Sequence, residues 1–583
     1  MLRPHRHATW LSSIGLVLVV GCGSDASAAD ELPGAHFRFV DVAAEARIDV
    51  VCVSGDPRRW YIPEGNGCGA AWLDHDGDGD MDLFVANGAG MRYVDDGARL
   101  EVVRRASSRL YRNDGGLAFT DVSEEAGAKL TSWINAVATG DVDADGDTDL
   151  YLACFGADVL LVNEGGRFVD GTAAAGLDND LWGAGAVFGD VDNDGDLDLY
   201  VANYVAFDLD APPEGGRRAV YDGVEVSFGP EGEAGPGINP GAPDRFWRND
   251  GRGRFTEATE AAGFALDPPL CSYACVFADV DRDGWIDLLV ANDLQPCNLF
   301  LNRGDGTFTE RGVASGFALD ALGEPTSAMG LFVRDVDGDG DQDVLRTNFD
   351  LEPNSLHLGD GAGRFVERAA AHGLADPSFD RLGWGGDFLD ADLDGDQDLL
   401  IANGHVMPQA AEIGMSGWEM RSQLFEALPH PELGIVWRDV TAAAGPGLLP
   451  KRSSRGVALG DPDDDGDLDA LIVDIDHAPR LLRNDTQRRG RWLAVRLLGD
   501  PEKGGNRDGY GAVLTVHAGG RTWTREVRTS GGLYSAHDPR THFGLGPVEA
   551  IERVEVRWPG GATQTVDSPA IDQLLTIRQT TPR

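Results

Sequence analysis

At 583 residues, with 42% hydrophobic and 25% charged content, the chain is globular rather than disordered, and longer than one ordinary core needs unless the fold repeats. Its formal charge of −48, from 97 acids against 49 bases, repels phosphate backbones, and no Lys/Arg stripe tracks a nucleic acid, so DNA and RNA are excluded as partners. The same charge is a large self-repulsion in a compact protein unless cations neutralise part of it.

In chain order, Arg3 and Arg6 precede an apolar run from Leu11 to Val20 that is too short for a permanent membrane span. Residues 1–22 therefore read as an export signal and 23–36 as a linker. The run ends Val19-Val20-Gly21-Cys22, which resembles the lipobox of bacterial lipoproteins. That resemblance implies lipidation of Cys22 and anchoring in the cell envelope, at the outer membrane since Gly23 follows; a signal cut near Ala26 to Ala29 would instead leave the chain secreted. No later segment is apolar and long enough to span a bilayer, so membrane attachment is expected through the lipid alone. Cys52 and Cys68 flank a short Pro/Gly-containing loop and are the preferred disulfide pair, Cys154 lies in an apolar strand, and Cys271, Cys275 and Cys297 stay unassigned.

One pattern then recurs seven times, Asp-x-Asp-x-Asp-Gly-Asp-x-Asp followed by an apolar, β-branched strand such as DLYVAN. The loops carry Asp74, Asp76, Asp78, Asp80 and Asp82; Asp141, Asp143, Asp145, Asp147 and Asp149; and Asp190, Asp192, Asp194, Asp196 and Asp198. The fourth holds Asp279, Asp281, Asp283 and Asp287, with Trp285 at its seventh position. The last three hold Asp335, Asp337, Asp339, Asp341 and Asp343; Asp390, Asp392, Asp394, Asp396 and Asp398; and Asp461, Asp463, Asp465, Asp467 and Asp469. Alternate carboxylates on a tight turn can converge on a hard cation, and several oxygens suit calcium better than magnesium, which keeps its waters. About seven calcium sites are expected, the fourth included, since the seventh position often lies outside the coordination shell. These positions hold 34 of the 97 acids, so most of the acidic excess belongs to them. The turn is not an EF-hand, which needs a Glu at position twelve where Val85, Leu152, Val201 and Val290 stand here.

Two further elements share the period, one like RLYRNDGG at 109 and one like F-x-D-V at Phe119 or Phe168. Several short strands per repeat predict an all-β, seven-bladed β-propeller over 37–490, with an insertion over 205–244 that carries the best candidate contact surface. The chain opens on an F-x-D-V element from Phe37 and its last LLRND lacks one, so the N-terminal strand is expected to complete the last blade. Beyond Arg491, alternating strands and Gly turns predict a small β-sandwich-like domain over 491–578.

The Asp loops resemble the FG-GAP-type calcium loops of the integrin α-subunit propeller. Asn506, Gly509, Gly511, Arg528, the run His542-Phe543-Gly544-Leu545-Gly546 and Val554-x-Val556-x-Trp558-Pro559-Gly560 look like an ASPIC/UnbV domain. With RWYIPEGNGCGAAWLDHDGDGD near the start, nearly the whole chain resembles the cartilage acidic protein family and its bacterial relatives, which implies extracellular calcium binding and adhesion-like contacts. No catalytic motif is recognised. His357, His405, His477, His537 and His542 stand singly and read as packed or exposed polar groups, and Trp133 and Trp182, each eight residues before an Asp loop, read as blade packing. The expected function is a calcium-binding adhesion scaffold at the cell envelope with a protein or glycan ligand; the alternatives are a calcium-dependent propeller enzyme acting on polysaccharide and an envelope assembly factor.

Overall fold

The computed structural model describes residues 34–580 apart from 58, 60, 95–98, 104–105, 213–218, 222–223, 227–238 and 531. The export signal, Cys22 and half of the Gly/Pro-rich insertion therefore lie outside the described residues. Ala219–Tyr221 and Val224–Val226 of that insertion pair as a two-stranded sheet.

The chain is all-β. Among the described residues each Asp loop joins the first and second strands of an antiparallel four-stranded sheet, and seven such sheets follow in order. In the second, Ile134–Gly140 leads into the loop, Asp149–Cys154 leaves it, and Val159–Asn163 and Phe168–Asp170 complete the blade. The F-x-D-V element is thus the short outermost strand. The first strands of successive sheets touch in a closed cycle, the seventh returning to the first. Closure is completed by Phe39–Asp41, which pairs with Arg480–Asn484 as the outer strand of the last sheet. The early and late ends of the propeller thus share one blade, which has the same four strands as the others.

Residues beyond 490 form two further sheets, one of four strands with Val513–Ala518 and Ile551–Arg557 at its centre, and one of three in which Arg491–Leu498 runs parallel to Leu574–Arg578. They lie across the end of the ring that carries the Asp loops. A stretch from Thr529 to Asp538 leaves this module and enters the ring, where Gly532 pairs with Leu331 and the Ala536 N–H donates to Ala70 (3.0 Å). Leu533 and Tyr534 join Tyr273, Leu331 and Trp384 in one apolar core shared by ring and module. The approach is close enough to require glycine: a β-carbon on Gly69 would stand 2.1 Å from the Tyr534 carbonyl oxygen. Sequence reading places the C-terminal domain after the propeller; the structure threads part of it into the propeller's axis.

Candidate metal centres at the loop end of the ring

All seven loops share one backbone course. The fourth residue is left-handed in each, at φ between 54° and 78°, and the sixth, always Gly, has φ between 91° and 106°. The sixth position lies where a side chain is strongly disfavoured, whereas the fourth tolerates Ala144, Asn193 or Asp464.

The first Asp accepts from the N–H of the sixth-position Gly in six loops, for example Gly146 to Asp141 (2.8 Å) and Gly395 to Asp390 (2.8 Å). The fifth-position carboxylate accepts from the N–H of residue seven in every loop. The ninth, almost fully buried, ties the loop to the blade: Asp149 accepts from Val142 N (2.9 Å) and from Asn163 N (2.8 Å) at the end of the third strand. These bonds turn the carboxylates inward. In the second and fourth loops, oxygens of Asp141, Asp143 and Asp149 and of Asp279, Asp281 and Asp287 lie within 4.8 Å of one another, and Asp190, Asp192 and Asp194 gather likewise in the third. The seventh position turns away: Asp147 accepts from Gly165 N (2.7 Å), Asp341 from Arg282 (2.8 Å) and Asp467 from Arg488 (3.1 Å). Trp285 therefore occupies a place that elsewhere faces a neighbouring turn or cation, and the rest of the fourth cluster is intact.

Burial, then mutual repulsion, makes bare charge costly here. Asp149, Asp190, Asp343 and Asp461 are pushed up to about 8, and Asp141 to about 7, the last also by the carboxylate of Asp508. Five oxygens, one each on Asp74, Asp190, Asp192, Asp279 and Asp469, are buried without a hydrogen-bond partner. Clustered carboxylates with orphaned oxygens on a glycine turn fit a hard divalent cation.

Two features escape a search for acidic loops. In five blades the asparagine that caps the ninth Asp also reaches back to the preceding loop: the side-chain amides of Asn113, Asn163, Asn249, Asn302 and Asn484 donate to the second-position carbonyls of Pro462, His75, Val142, Val191 and Ala391 at 2.7–2.9 Å. Gly359 and Ala427 stand there in the fifth and sixth blades and make no such latch. Three of these asparagines, Asn113, Asn249 and Asn484, stand in a repeated RND element, which does not itself show that it joins blades. Second, the C-terminal module caps the loops. Its acids Asp508, Glu526 and Asp538 accept from the first-position N–H of Asp141, Asp279 and Asp461 (2.9, 3.1 and 3.3 Å). Its cations reach the first, fourth and seventh turns, Arg496 to Asp74 (3.4 Å), Arg557 to Asp279 (3.1 Å) and Arg540 to Asp464 (2.6 Å).

The histidines are packed rather than poised. Burial holds His357 well below its usual range, His405 at about 3 and His542 at about 4, and His542 Nε2 bonds the Gly466 carbonyl (3.0 Å). Trp133 and Trp182 are buried, with Phe155 edge-on to Trp182 at 5.0 Å. Cys52 and Cys68 come together at the far end of the ring, and burial raises the Cys271 thiol to about 12.

An ASPIC and UnbV model matches residues 502–583, and an FG-GAP-like repeat model matches 74–152, 141–201 and 279–346. Cartilage acidic protein 1 of Homo sapiens is 26% identical over 300 residues, covering 50% of this chain and 42% of that protein. The Xenopus tropicalis protein is 26% identical over 345 residues, covering 57% and 49%. The chain thus spans less than half the length of these relatives. Among solved structures, an Agrocybe aegerita lectin that recognises non-reducing terminal N-acetylglucosamine aligns with a TM-score of 0.35 and 16% identity, over 68% of this chain and 94% of the lectin. The NanB sialidase of Streptococcus pneumoniae aligns with a TM-score of 0.33 and 12% identity, over 75% and 69%. The protein thus joins FG-GAP-like repeats to an ASPIC and UnbV domain and is a homologue of the cartilage acidic proteins over half its length.

Proposed function

We propose that the protein is an exported, calcium-stiffened binding scaffold that engages a protein or glycan partner at the cell envelope. The observation that supports this reading most is the recurrence, loop after loop, of inward carboxylates at positions one, three, five and nine with orphaned buried oxygens among them. Calcium held by these groups would supply neutralising charge and fix each turn between its two strands. The ring end remote from the loops, together with the rim, is the surface left for a partner, because the C-terminal module lies over the loop end. The export signal and lipobox in the sequence support placement beyond the inner membrane.

Capture from envelope extracts, with calcium present or chelated, tests the reading. Retention of a defined protein or glycan that is lost on chelation and restored by added calcium is expected. Capture unaffected by chelation, or turnover of a polysaccharide by the purified chain, would replace it.

A further inference from the structure

The two cysteines singled out in the sequence meet at the seam where the ring closes. Cys52 is fixed to the last blade by its backbone, its N–H donating to His477 O (3.1 Å) and its carbonyl accepting from Asp476 N (2.8 Å). Cys68 stands just before the first strand of blade one, its carbonyl accepting from Gly456 N of blade seven (3.4 Å). Both side chains are buried, at 1% and 0% exposure, and their sulfurs are 2.9 Å apart, closer than two unbonded sulfurs rest. Between them the chain forms a strap across the end of the ring opposite the Asp loops. Glu64, on its one helical turn, accepts from Asp56 N (2.7 Å) and the Tyr93 hydroxyl (2.6 Å), Arg59 pairs with Asp476 (2.5 Å), and the Gly65 carbonyl accepts from Arg455 (2.8 Å).

We infer that Cys52 and Cys68 are joined by a disulfide that locks this strap over the seam between the first and last blades. The bond forms by exchange with a disulfide oxidant before the strap closes. The Cys52 thiolate displaces one oxidant sulfur to give a mixed disulfide, and Cys68 displaces the other. One S–S bond is made in the chain and one is broken in the oxidant, which leaves as a dithiol carrying two protons and two electrons. In the folded chain the backbone bonds of strap and seam hold the two sulfurs 2.9 Å apart, so the finished bond fits the fold with a small approach of the sulfurs and no rearrangement of the chain.

The test produces the full chain behind a standard secretion signal, so that it folds in an oxidising compartment whether or not its own N-terminus exports it. The protein is denatured, alkylated without reduction and digested. A peptide pair linking Cys52 to Cys68, lighter by two hydrogens than the reduced pair, is expected. Dithiothreitol should lower the unfolding midpoint and speed proteolysis between residues 53 and 67, and neither effect should appear in Cys52→Ser. Full alkylation of both cysteines in the wild-type chain overturns the inference without reference to how any variant folds.

Discussion

At one end of the ring each blade repeats the same nine-residue turn; at the other, each blade ends differently. The loop end is built from carboxylates, glycine turns and backbone N–H groups, and its repeated charge calls for an external cation. The opposite end supplies its own positive charge. Arg455, fully buried, donates to the carbonyls of Gly65, His405 and Ser454 (2.8, 3.1 and 2.8 Å) and lies 4.0 Å from the centre of the Trp384 ring. Around it stand single-use pieces, among them the strap, the hairpin of Gly90–Val94 with Arg99–Val103, and an aromatic group of Tyr61, Trp133, Phe155, Trp182 and Phe207. One end thus gathers repeated negative charge, and the other is held by the chain's own buried cation and by aromatic packing.

Chelation breaks the comparison most strongly. A site held at a hundredfold its dissociation constant contributes about 2.7 kcal/mol, so emptying several should lower the thermal midpoint more than any single substitution. A scan in excess chelator reads this directly.

Arg455→Met probes the other end. Removing a guanidinium that serves several buried carbonyls costs about 3 kcal/mol. The loss in a denaturant titration should be the same with and without calcium; a loss that vanishes on chelation would show the two ends to be coupled. Smaller still is the latch between blades. Asn163→Ala removes the amide that serves the His75 carbonyl, while the backbone N–H of residue 163 still serves Asp149, and should cost about 1–2 kcal/mol. The alanine already at position 427 gives the reference: Ala427→Gly, at a blade without a latch, should cost less.

Acidity probes the remote end a second way. At the end remote from the loops, burial raises Asp158, Asp293 and Glu64 to about 7. Between the usual carboxylate range and that value the folded chain keeps protons that the unfolded chain has released, so stability falls as pH rises through this window. Chelated protein should therefore melt higher at about pH 5.5 than at about pH 8, and the reverse order would contradict the dominance of burial at these groups.

The loop end was legible because a ring of equal blades forces one solution to be written seven times. Even the role of Phe39–Asp41 followed from the phase of the repeat. What stayed hidden depends on contacts between distant segments. The asparagine latches join a third strand to the loop of the blade before it, and nothing local in RND distinguishes such a bond from a turn cap. The module's entry into the ring rests on glycines such as Gly69 and Gly532, each an ordinary turn residue in sequence. The strap reads as a Pro/Gly loop, and only the fold brings Arg455 beneath it.

The central claim is that the Asp loops are metal centres, and native mass spectrometry of the chain after dialysis against calcium counts them. The account predicts about seven bound ions, with one lost in Asp281→Asn and none lost in Asp147→Asn, whose carboxylate turns away to Gly165. A chain that retains no calcium, or that loses an ion equally on either substitution, would contradict it.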